Sequence, residues 1–87
     1  MTKNEWTPAK RYVSVQAIHM ADGEVYPLML RHHDLGIFHI TGARRLYPEE
    51  EADREPGETV YKVWIRGRET YLYEQNGRWS VKEKTVF

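Results

Sequence analysis

From Arg11 onward, apolar and polar positions alternate with a period of two. Val13, Val15 and Ala17 fall on one face, and Tyr12, Ser14, Gln16 and Ile18 on the other, as in a half-buried strand. Asp22-Gly23 follows, a pair that tolerates the positive φ of a type I′ turn. A two-residue turn there pairs Ala21 with Glu24, His19 with Tyr26, Ala17 with Leu28 and Val15 with Leu30. The apolar residues of both strands then share one face. Pro27 falls opposite Ile18, and its missing N–H predicts an open or bulged neighbour on its other side.

Residues 32–36 (HHDLG) read as the next turn and 37–40 as a third strand, with Gly42 as a bulge or bend before Arg44-Arg45-Leu46-Tyr47. Three more strands, 59–65, 69–74 and 78–84, are joined by Arg66-Gly67 and Asn76-Gly77, the latter the strongest short hairpin signal. No helical period of convincing length occurs. The pattern predicts an all-β fold, a small six-stranded antiparallel meander closing into a barrel or roll of SH3-like size. That single domain covers residues 11–87, after a polar tail over 1–10 in which Trp6 is the exception, able to dock on the domain or on a partner.

Residues 48–58 (PEEEADREPGE) break the pattern. Six acids against Arg54 alone give this stretch a net charge of −5 and leave +5 on the rest, although the whole chain is neutral. With Pro near both ends and no apolar period, it reads as a solvated acidic loop. A short helix from Pro48 is the lesser alternative. The loop can also fold over a basic face and compete there with phosphate.

Composition narrows the function classes. An 87-residue chain with 40% hydrophobic and 13% aromatic residues supports one small core. A deep dry pocket would consume that core, which argues against an enzyme. There is no cysteine, hence no disulfide, thiol nucleophile or thiolate zinc site. No stretch approaches the ~20 apolar residues of a membrane span, and the first residues show no secretory leader, so a cytoplasmic protein without membrane contact is expected.

Candidate chemistry is sparse. Ser14 and Ser80 lie mid-strand without a nucleophile elbow, and the six glycines are single turn residues rather than a phosphate loop. No catalytic residue and no cofactor is expected. Four histidines raise a metal alternative, with His32, His33 and Asp34 in a turn joined by His19 or His39. No His-x-x-x-His spacing supports it, and a solvated turn with His19 beside Tyr26 accounts for the same residues.

The closing meander carries the working hypothesis. Two-residue turns at Arg66-Gly67 and Asn76-Gly77 put Tyr61, Val63, Ile65, Leu72, Trp79 and Val81 on a core face. Val60, Lys62, Trp64, Tyr71, Tyr73, Arg78, Ser80, Lys82 and Lys84 go on the opposite one, with Lys62, Tyr71 and Lys82 in one cross-strand row. The candidate binding residues are Lys62, Trp64, Tyr71, Tyr73, Arg78 and Lys82. Rings interleaved with cations suit a protein partner or a homodimer. They also suit single-stranded nucleic acid, where each stacked base contributes ~1–3 kcal/mol. Plain packing, with lysine stems over tyrosine rings, explains the same pattern. A three-residue Arg66-Gly67-Arg68 loop would move the tyrosines to the Val63 face.

Tyr61-Lys62-Val63-Trp64-Ile65, Tyr71-Leu72-Tyr73 and Gly77-Arg78-Trp79, behind an alternating hairpin, resemble short bacterial β-barrel domains of unknown function. Segment 48–58 departs from that pattern. Some such domains look like companions of DNA-repair polymerases, which implies a nucleic-acid connection and carries over no catalytic residue. The expectation is a non-enzymatic binding or interaction module.

Overall fold

The computed structural model describes residues 9–50 and 54–87. Seven strands form one antiparallel sheet: β1 (Lys10–His19), β2 (Val25–His32), β3 (Gly36–His39), β4 (Gly42–Leu46), β5 (Thr59–Ile65), β6 (Arg68–Gln75) and β7 (Arg78–Lys82). A 3₁₀ turn, Pro48–Glu50, follows β4. The sheet order is β3-β2-β1-β7-β6-β5-β4, so the chain's middle supplies both edges and its ends meet in the centre.

The expected all-β class holds, with two corrections. There are seven strands rather than six, and the sheet curls into a half-barrel whose edges, β3 and β4, do not pair. The additional strand is β4. The chain crosses from one edge to the other at residues 40 and 41, where the Ile40 N–H bonds the Leu28 carbonyl and the Thr41 N–H bonds that of Trp64, 2.8 Å each. Gly42 is a close-approach site rather than a bulge: a Cβ there would lie 3.4 Å from the Trp64 ring. Lys10, assigned to the tail, belongs to β1 and pairs with Lys82. Trp6 lies outside the described residues.

The first hairpin also differs at its tip. Gly23 N–H bonds the Met20 carbonyl (3.0 Å) and Met20 N–H that of Glu24 (2.8 Å), so Ala21-Asp22-Gly23 is a three-residue loop with Gly23 at φ 94°. His19 then pairs with Val25, Ile18 with Tyr26 and Ala17 with Pro27. A bulge beyond Ala17 absorbs the extra residue, and the predicted Val15–Leu30 pair is restored. Pro27 is open on its other side as expected, because the β2–β3 ladder stops at Met29–His39.

Both later hairpins turn in two residues, with Arg66 and Asn76 at φ 55° and 52°. Val63 meets Thr70, Lys62 meets Tyr71 and Glu74 meets Trp79, the predicted register. The concave face holds the core: Val13, Leu30, Ile40, Tyr61, Val63, Ile65, Leu72 and Val81 are buried, with Trp79 packed against them. Phe87 closes one end, stacked on Phe38 at 4.6 Å and edge-on to His32 at 5.7 Å. His32 is therefore buried, not part of a solvated turn, and its Nδ1 accepts the N–H groups of Asp34 and Leu35 at 3.1 and 3.2 Å.

Tyr61 supplies a pH test of this core. Burial holds its phenol above the ordinary tyrosine value of 10.0; Glu74 and Glu24 add to the effect and Arg45 partly offsets it. The folded chain keeps this proton where the unfolded chain has lost it. The associated stability is complete below the ordinary value and is lost as pH rises through the raised one. In urea titrations from about pH 9 to about pH 11, Tyr61→Phe should lose less stability than wild type. Equal losses would show that other groups carry the alkaline sensitivity.

Candidate functional site

The face opposite the core is built by cross-strand pairs. Arg44 pairs with Lys62, and Lys62 with Tyr71; Leu46 pairs with Val60, Val60 with Tyr73 and Tyr73 with Ser80; Lys82 pairs with Lys10. The six predicted binding residues do share this face, yet they do not form one open surface. Tyr73 is 1% exposed and packs with Leu46 and Val60 in a second small core. It is a correction to the predicted site: the ring is sealed and offers no contact surface.

The segment expected to be solvated holds one of the groups that cover it, Lys10. Glu58 is buried, and its carboxylate accepts the Lys10 ammonium at 2.6 and 2.7 Å and the Glu55 N–H at 2.9 Å. Held there, Lys10 Nζ sits 4.0 Å above the Tyr73 ring, and Lys82 Nζ lies 5.7 Å from it. Arg54 reaches back to the carbonyls of Leu46 (2.8 Å) and Glu58 (3.1 Å). At the other end of the segment, Glu50 accepts the Tyr47 N–H at 2.8 Å and the Arg44 guanidinium at 3.2 Å. The Tyr47 N–H, then Arg44, hold its carboxyl below the usual carboxylate range. The acids at both ends of 48–58 therefore do engage the basic face.

Five of the predicted residues remain partly or fully exposed. Tyr71 is 37% exposed, beside a half-buried Lys62 whose ammonium lies 3.4 Å from Glu69. Trp64 is half-buried over Gly42. Arg78 is exposed, with its guanidinium 4.3 Å above the Tyr12 ring. Lys82 was expected beside Tyr71, but the β6–β7 ladder ends at Tyr73–Ser80 and Lys82 turns toward Tyr73. Glu74 caps the neighbouring turn by accepting the Gly77 N–H at 2.8 Å.

The histidines are dispersed. His32 points into the core with Nδ1 already accepting two N–H groups, while His33 is exposed with Nε2 3.8 Å from Asp34. His19 pairs with Val25 rather than Tyr26. No three metal-ligating side chains converge among the described residues. Nor, among them, is any helix long and apolar enough to cross a membrane.

The sequence reading missed a second surface. The open seam of the half-barrel forms a groove of about 330 Å³ between the start of β2 and β4, with Glu24 and Tyr26 on one wall, Arg44, Arg45 and Tyr47 on the other, and Tyr61 among its lining. The signal was present as two adjacent arginines followed by an unburied tyrosine, but nothing local places Tyr26 across from them. Comparison with family models, curated proteins and solved structures finds no match. The resemblance to short bacterial barrels therefore rests on its quoted residues alone.

Proposed function

We propose that this chain is a non-enzymatic interaction module that contacts a protein partner through the face carrying Lys62, Trp64, Tyr71 and Arg78. The observation that carries this reading is the internal pairing of the cations. Lys62 faces Glu69, Arg44 faces Glu50, and Lys10 is held by Glu58. A nucleic-acid backbone would have to displace these carboxylates, and burial of Tyr73 removes one of the rings a base would stack on. A tryptophan and a tyrosine beside arginine and lysine on a rigid sheet suit a protein contact, where such residues dominate binding energy.

Self-association is the form testable without a named partner. Sedimentation velocity should show a concentration-dependent dimer that Trp64→Glu abolishes while thermal unfolding stays cooperative. A labelled 20-nucleotide single strand should not bind at about 50 mM salt. Salt-sensitive binding weakened by Tyr71→Ala would transfer the face to nucleic acid. A wild-type monomer would remove self-association.

A further inference from the structure

The geometry points to a strand-addition site at the open seam: an extended acidic peptide pairs with the free edge of β4. This surface is separate from the face proposed above, and the two share only Arg44.

β4 ends the sheet, so among the described residues one side of its backbone has no strand partner. Its last residues are already occupied, since Arg54 takes the Leu46 carbonyl and Glu50 the Tyr47 N–H. Residues 42–45 are left facing the groove. Across the groove, β2 offers no competing edge: Pro27 has no N–H, and the Leu28 carbonyl is taken by Ile40. The other edge of the sheet, β3, is four residues long and carries no charge at residues 36–38. An incoming chain therefore pairs with β4 alone.

Charge selects the occupant. Arg45 is exposed and makes no ion pair among the described residues, whereas Arg44 beside it is already paired with Glu50 and Glu24 stands on the far wall. A second copy of this chain is disfavoured, because antiparallel pairing centred on the strand would set Arg44 against the same residue of the copy. A peptide with acids at alternate positions sets them all on one side of the added strand, where they meet Arg45. Tyr26 and Tyr47, 44% and 59% exposed, flank the edge and supply apolar contact for its other side chains. Arginines that merely guarded an edge would not need exposed rings on both walls.

The probe is a labelled hexapeptide alternating glutamate with valine, titrated into the ¹⁵N-labelled full chain. Amide shifts should move at Gly42–Arg45 and Tyr26, and Arg45→Glu should weaken binding about tenfold or more, a loss of about 1.4 kcal/mol. The same variant should then accept a lysine–valine hexapeptide. N-methylation of alternate backbone nitrogens should abolish binding to wild type. The proposal is overturned by no shifts up to about 1 mM peptide, by shifts confined to Lys62 and Tyr71 or to β3, or by equal binding of the N-methylated peptide.

Discussion

Replacing Tyr73 with alanine is expected to destabilise the fold by about 3–5 kcal/mol, the usual cost of truncating a fully buried aromatic ring. The ring fills the small core with Leu46 and Val60 and lies beneath Lys10 and Lys82. Removing it opens a cavity and takes the ring from beneath both ammonium groups. A chain of this length has a total stability of roughly 4–13 kcal/mol, so the loss is about a quarter of it or more. Tyr73→Phe keeps the ring and both lysine contacts, and should stay within about 1 kcal/mol of wild type. Urea denaturation of the pair measures the difference directly. A Tyr73→Ala protein within about 0.5 kcal/mol of wild type would mean that the ring faces solvent, and would return it to the list of contact residues.

The second large effect concerns Glu58. Glu58→Ala should cost about 2–3 kcal/mol, because it leaves the Lys10 ammonium without its carboxylate in a site where that side chain is only 19% exposed. For a domain of this size that is a fall in Tm of roughly 10–20 °C. The Glu55 N–H loses its acceptor as well, loosening the segment that covers Tyr73. Lys10→Met alone should be comparably damaging, since it strands a buried carboxylate. The double variant Lys10→Met, Glu58→Leu should recover most of the loss, as buried pairs replaced by apolar residues often do. Additive losses in the two single variants, with no recovery in the double, would place the energy elsewhere in the segment.

The face proposed for partner contact was largely legible in the sequence, because hairpin registers follow from turn residues. Asn76-Gly77 points to a two-residue turn, and Arg66-Gly67 takes one as well rather than the three-residue alternative; these turns determine which side chains of β5 and β6 share a side. Exposure on that face was not legible. Tyr73 and Tyr71 are two residues apart with the same pattern around them, yet one is sealed and the other is not. Tyr73 packs with Leu46 and Val60 and lies beneath Lys10, which Glu58 holds from a segment whose local composition is that of a solvated loop.

The first hairpin shows the same division. Alternation identified its core face, but a three-residue tip shifted the register by one, and the bulge beyond Ala17 was required to return Leu30 opposite Val15. Gly42 likewise reads locally as a break, whereas its neighbours form a strand that exists only because β5 lies alongside.

Period-two alternation and positive-φ turn residues are properties of a few adjacent positions, so the strand class, the core face and two of the three predicted hairpin registers followed from the chain read in order. The half-barrel curl, the edge position of β4, the seam groove and the burial of Tyr73 depend on residues far apart in the chain, such as Lys10 with Glu58, or Tyr26 and Arg45 lining one groove. Those contacts form only once the sheet has curled, and that curl was a decision of the tertiary structure.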